Sequence, residues 1–243
     1  MQFVAQFRER PDVELSDYGF HLSRLWPVVE VLSSKDQRLH DWFLKGATES
    51  EARLYPVYES GATPSTAVLA VLREKYRGED ELAKTIGIWN GQTAKKDGAA
   101  LSLVIDTSSM PRDFDLSIGE ENAESSRLGH YTSVAEVVAT IANAYAPAYV
   151  TAGPRKYAAK QVFDDKPGVG WMLYLPKIIT VQQVPEARTL IPVRDASGKQ
   201  TGTIIVSVTD AVFSADNPEH VEIANRIEIR LVDQDLLPRY ADL

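Results

Sequence analysis

The sequence predicts an α+β fold, a mostly antiparallel sheet packed by several helices, and three observations carry that expectation. Short apolar or alternating segments recur along the chain with polar turn residues between them, as hairpins and meanders require. Other stretches space their apolar residues at helical intervals, leaving one face to be buried. The elements come in blocks: a strand, helices, a meander, a helix, more strands and a closing helix. That order is unlike the strict alternation of a doubly wound parallel sheet.

Residues 3–8 alternate after Val4 and form a first strand that Pro11 ends. Ser16 or Asp17 then caps a helix reaching about residue 34, with Leu22, Leu25, Trp26, Val29 and Leu32 on one face. Pro27 must kink that helix or sit near its start. Residues 36–44 read as a second short helix carrying Leu39, Trp42 and Phe43 and stopped by Gly46. Thr63-Pro64 opens a third, an N-cap hydroxyl before a proline, and Val68, Leu69, Val71 and Leu72 continue it to about Tyr76.

A meander follows over residues 86–90, 100–106 and 114–118, its first two arms joined by a polar loop with Lys95, Lys96, Asp97 and Gly98. Ser133 and Glu136 have capping-box spacing and start a helix of Val134, Val137, Val138, Ile141 and Ala142, which Pro147 terminates. Residues 148–151 return to strand. Residues 171–175 are apolar throughout, so they form a strand covered on both faces in the centre of the sheet, approached through Gly168 and Gly170. Residues 188–194 and 201–209 flank a turn at Ala196-Ser197-Gly198 as a late hairpin. Asn217-Pro218 opens a last helix to about Leu237, with Val221, Ala224, Ile227, Leu231 and Leu236 aligned.

No repeat, low-complexity tract or long Pro/Gly/Ser linker interrupts the chain, so residues 1–243 are expected to form a single domain. At 44% hydrophobic and 25% charged residues it can build a sizeable core. There is no basic segment followed by an apolar signal run at the N-terminus, and no stretch nears the ~20 apolar residues that span a bilayer. The absence of cysteine excludes disulfides, thiolate metal ligands and a cysteine nucleophile, and suits a reducing compartment. A cytoplasmic location without a membrane partner is therefore expected. Asp and Glu number 34 against 26 Lys and Arg, a net charge of -8. Such a surface repels phosphate backbones, which disfavours direct nucleic-acid binding, and it attracts a basic protein.

Catalytic chemistry finds little support. His21, His40, His130 and His220 lie far apart and form no metal-ligand spacing. Gly168-Val169-Gly170 begins like a dinucleotide fingerprint, but Leu173 stands where the third glycine belongs, and the glycines lead into a strand. Neither a nucleophile elbow nor a phosphate loop is present. Asp164-Asp165-Lys166 puts two carboxylates beside an ammonium, but three consecutive residues before Pro167-Gly168 read as a solvated turn. No catalytic, cofactor-binding or metal-binding set is assigned. The alternative is a metal-dependent or carboxylate-based hydrolase whose site assembles only in the fold.

The most polarised stretch is residues 113–124, where Asp113, Asp115, Glu120, Glu121 and Glu124 occur without a basic residue. It is either a solvated loop or a mimic of phosphate charge that enters a basic groove. These five carboxylates, with Trp89 as an aromatic anchor, are the candidate partner-binding residues.

The second half of the chain carries a family likeness. Gly87-Ile88-Trp89-Asn90-Gly91, Gly153-Pro154-Arg155, the run from Pro167-Gly168-Val169-Gly170 through Trp171-Met172-Leu173-Tyr174-Leu175-Pro176, Val184-Pro185-Glu186-Ala187-Arg188 and Gly202-Thr203-Ile204-Ile205-Val206 together resemble the immunity protein 52 family of bacterial polymorphic toxin systems. The likeness spans nearly the whole chain and is loosest before Thr63. It implies a protein encoded beside a toxin, commonly a type VI secretion effector ending in a restriction-endonuclease-like nuclease domain. The implied activity is inhibition of that toxin by binding, without catalysis, and the family supplies no catalytic residues to carry over.

Overall fold

The computed structural model describes residues 1–78, 83–106 and 112–243, and of Asp106, Arg112 and Asp113 it describes the backbone. Its strands are β1 (Gln2–Phe7), β2 (Phe43–Leu44), β3 (Tyr58–Ser60), β4 (Thr63–Pro64), β5 (Ala83–Trp89), β6 (Ala99–Asp106), β7 (Arg112–Ile118), β8 (Tyr149–Gly153), β9 (Met172–Leu175), β10 (Thr189–Arg194) and β11 (Gln200–Val206). Its helices are α1 (Tyr18–Lys35), α2 (Glu49–Ala52), α3 (Thr66–Lys75), α4 (Tyr131–Tyr145) and α5 (Pro218–Asp233). Nine strands form one sheet in the order β10-β11-β9-β8-β1-β7-β6-β5-β2, every named pair antiparallel, while β3 and β4 make a separate ribbon. The fold is α+β with a large antiparallel sheet.

Strand register explains which side chains meet. Phe3 opposes Leu116 and Ala152, Leu101 opposes Leu116 and Ile88, and Val150 opposes Tyr174, which in turn opposes Ile204. Directly paired residues share a face, so one side of the sheet is a continuous buried apolar surface. Helix α4 covers it. Tyr145 at the end of α4 packs its ring 4.7 Å from Phe7 and 5.5 Å from Phe114. Helix α1 lies against α4, with Arg24 stacked 4.5 Å over the Tyr145 ring and bonded to Glu9 and the Ala144 carbonyl.

The opposite face is divided. Over β9 and β11 it is buried, and Thr203 there binds the Lys177 carbonyl and the Ile179 amide of the loop that crosses it. Arg230 of α5 clamps Glu186 of the same loop at 2.6 Å. Over β5, β6, β7 and β1 the face carries half-exposed or exposed residues, among them Thr85, Gly87, Ala100, Ser102, Asp115, Ser117 and Gln2. Half of one face of the sheet is left open.

Three elements differ from expectation. The expected helix over residues 36–44 is a single 3-10 turn, Gln37–Leu39, followed by β2, because Phe43 and Leu44 are drawn into pairing with Trp89 and Ile88. Thr63-Pro64 does not open a helix. It forms β4 against Tyr58 and Ser60, and Ser65 caps α3 by accepting from the Val68 amide at 3.2 Å. Ser133 and Glu136 form no capping box, since α4 begins at Tyr131 after His130. Pro27 sits well inside α1, and α5 stops at Asp233, with Asp235 in a left-handed conformation at φ 54°. The all-apolar β9 lies between β11 and β8 with all four residues buried, as expected.

One buried group ties this core to pH. His21 on α1 is 1% exposed, with Nε2 3.1 Å from the Glu14 carbonyl. Burial lowers its pKa below the ordinary 6.5, outweighing the pull of the Glu14 carbonyl and of Glu9. The unfolded chain therefore binds that proton more readily. Stability contributed by neutral His21 is complete above about pH 6.5 and is lost as pH falls through the folded-state value. Urea titrations between pH 7.5 and 5 should show wild-type stability falling more than that of His21→Leu, and parallel curves would remove His21 as the acid-sensitive group.

Candidate functional site

The open half of the sheet forms the floor of a cleft of about 740 Å³. Trp89 from β5, Ala100 from β6, Ser117 from β7 and Gln2 from β1 lie side by side across it. One wall is residues 45–49 with Ala52 of α2 at the β2 edge, a second is residues 92–95 of the loop joining β5 to β6, and Arg155 closes the side near β8.

Local sequence explains each wall. Lys45 donates its amide to the Gly87 carbonyl at 2.9 Å, and its aliphatic stem fits because Gly87 has no side chain: a β-carbon there would stand 3.1 Å from Lys45 Cδ. Thr48 caps α2 through the Glu51 amide. At the other wall Asn90, 1% exposed, donates to the carbonyls of Arg38 and Asp97, both at 2.9 Å, and accepts from the Ala99 amide at 2.7 Å. Gly91 follows with φ 72°, its carbonyl taken by Arg53. Arg127 reaches the same loop through the Asp97 carbonyl at 2.9 Å and is held by Asp36 at 2.7 Å. Burial pushes the Asp36 carboxyl up, but hydrogen bonds from Arg38 and Arg127 outweigh it and hold the pKa at about 2.

Trp89 is half-buried, with the Arg53 guanidinium 5.7 Å from its ring and Phe43 tilted at 6.5 Å. Its indole Nε1 is shielded and has no hydrogen-bond partner. Lys45, Lys95 and Arg155 are exposed along the rim. The one carboxylate lining the cleft, Glu49, is paired with Arg53 at 3.0 Å.

The acidic stretch does not form one surface. The Asp113 side chain lies outside the described part of the structure, although its backbone pairs with Gln6 in β7. Asp115 is half-buried on the open sheet face and accepts from Gln2 Nε2 at 3.0 Å. Glu120 is turned inward, accepting from the Arg127 amide at 2.8 Å, and burial pushes its pKa up against the pull of Arg127. Glu121 is exposed and pairs with Lys96 at 3.3 Å, and Glu124 is exposed. Trp89 alone of the six candidates lines the cleft. Asp164 and Asp165 are exposed, whereas Lys166 is buried and donates to the Leu237 carbonyl at 3.1 Å. Among the described residues no three His, Asp or Glu side chains gather as a metal-holding group, and no helix is long and apolar enough to cross a membrane.

Sequence reasoning missed Lys45, Asn90 and Arg155 as parts of a site. The Asn90-Gly91 pair is a turn signal that marks the loop wall, but nothing in the local sequence brings Lys45, Lys95 and Arg155 together.

Comparison with known families gives a match to immunity protein 52 over residues 20–239. The chain belongs to the immunity protein 52 family. The expected family resemblance therefore holds over almost the full length. No curated protein matches the chain. Among solved structures, the Pseudomonas aeruginosa T6SS protein PA0821 superposes with a TM-score of 0.53 at 10% identity, covering 95% of this chain and 75% of that one. At that identity the likeness speaks for the fold: this immunity protein 52 member shares its overall architecture.

Proposed function

We propose that this immunity protein neutralises a cognate antibacterial effector of a type VI secretion system by binding it in the cytoplasm, acting as one domain and without turnover. The effector is proposed to end in a restriction-endonuclease-like nuclease domain. The match to immunity protein 52 over residues 20–239 carries the reading. The net charge of -8 supports a basic, nucleic-acid-binding partner, since opposite charge accelerates encounter. Asp113, Asp115, Glu121 and Glu124 are the proposed steering carboxylates, with Trp89 as anchor, and the inward-turned Glu120 adds to the field without touching the partner.

Two measurements test this. Co-expression with the toxin domain encoded beside this chain should restore growth and yield a complex of fixed stoichiometry. Cells dying equally fast with and without the chain would end the reading. Glu121→Lys with Glu124→Lys should slow association severalfold at low salt and flatten its salt dependence. An unchanged on-rate removes the two residues from the steering surface.

A further inference from the structure

We infer that the cleft on the open sheet face receives an acidic segment of the partner protein; this deepens the proposed function and rests on it. The charge of the cleft runs against that of the molecule. In a chain of net charge -8, three of the four charged side chains lining it are the cations Lys45, Lys95 and Arg155. Lys45 follows β2, Lys95 lies in the loop joining β5 to β6 and Arg155 follows β8, so they stand on separate sides of the floor. None has a carboxylate within 4.0 Å among the described residues, whereas Glu49 is already neutralised by Arg53. Three unpaired cations around a recess attract negative charge and raise its local concentration.

The floor decides what kind of anion fits. Trp89 and Ala100 present apolar surface and Ser117 a hydroxyl, which suits a segment that brings aliphatic or aromatic side chains along with its carboxylates. A recess of about 740 Å³ takes a few side chains. A nucleic acid would bring dense charge, about one per 1.7 Å of duplex, against an otherwise acidic protein. A protein segment with a few carboxylates meets only the local cations. The acidic loop with Glu121 and the cationic rim adjoin at Lys95 and Lys96, so one partner surface with a basic patch beside an acidic segment engages both.

The test uses the full chain and the toxin domain encoded beside it. Lys45→Glu, Lys95→Glu and Arg155→Glu are combined, and because the three side chains are exposed and unpaired, melting should stay at the wild-type temperature. By biolayer interferometry the combined variant should bind at least about tenfold more weakly, with most of the loss in the on-rate at low salt. Lys45→Arg, Lys95→Arg and Arg155→Lys together should keep wild-type binding. A second arm places a photo-crosslinking amino acid at Ser117 on the floor, and the toxin peptide it captures should carry more Asp and Glu than Lys and Arg. Wild-type affinity in the reversed variant, or capture of a basic toxin peptide, a nucleic acid or a second copy of this chain, overturns the inference and leaves the proposed function standing. Failure of the wild-type chain to bind the toxin at all removes both.

Discussion

Glu228→Ala is expected to lower the unfolding free energy by about 2–4 kcal/mol, without touching the cleft. Glu228 on α5 is 1% exposed and collects three donors: the Tyr157 hydroxyl at 2.6 Å and the Val169 amide at 2.9 Å on Oε1, and the Val162 amide at 2.8 Å on Oε2. One carboxylate thereby ties the turn at Tyr157, the segment at Val162 and the approach to β9 onto α5. Alanine would leave the buried Val169 amide and the part-buried Val162 amide without their acceptor, whereas the Tyr157 hydroxyl keeps Asn225 Oδ1 at 2.9 Å. Each orphaned group costs about 1–3 kcal/mol, offset in part because a costly buried charge also disappears. Glu228→Gln should lose less, since its oxygen can keep two donors while its amide group faces the Val162 N–H as a second donor.

The same residue has a pH signature. Burial raises the Glu228 pKa above its ordinary value despite three hydrogen bonds that oppose it. The folded state holds that proton more tightly, so this group's contribution is largest at low pH and declines as pH rises through the folded-state pKa. His21 acts in the opposite sense, so the two are separated by comparing each variant with wild type. Chemical denaturation of Glu228→Ala within about 0.5 kcal/mol of wild type would refute the role given to the three donors.

The sequence revealed elements wherever one local rule acted alone. The all-apolar run of β9, the alternation of β1 and β7 and the Asn217-Pro218 start of α5 needed no distant partner, and each appears where its pattern places it. Misreadings arose where a local rule met a long-range competitor. Leu39, Trp42 and Phe43 stand at helical spacing, yet pairing of Phe43 and Leu44 with β5 wins. Thr63-Pro64 and Ser65 offer the same cap chemistry within three residues, and formation of the β3–β4 ribbon selects the later one. The acidic stretch looked like one feature because charge was read along the chain. The two-residue period of β7 aims Asp115 at the open face, and the turn after Ile118 sends Glu120 inward. Lys45, Lys95 and Arg155 stand 50 and 60 positions apart along the chain, and only sheet order brings them around one cleft.

Gly119→Ala is the other substitution expected to act strongly, and it acts on the cleft wall itself. A β-carbon at Gly119 would lie 1.9 Å from the Lys95 carbonyl oxygen and 3.1 Å from that of Gly98, both backbone atoms. The loop cannot retreat without losses. Gly119 donates to the Gly98 carbonyl at 2.8 Å, Asn90 and Arg127 both hold the Asp97 carbonyl at 2.9 Å, and the Gly98 amide donates to Ala94 at 2.8 Å. Pushing residues 95–98 outward breaks several of these bonds at once, so the cost should sit at the upper end of overpacking, about 2–3 kcal/mol, with melting lowered by roughly 5–10 °C. Because Lys95 and Gly98 line the cleft, partner binding measured well below the melting temperature should weaken beyond what the unfolded fraction explains. A variant that melts like wild type shows that the loop yields freely and that Gly119 does not set the wall. One that melts lower but binds the toxin domain with wild-type affinity places the contact elsewhere on the protein.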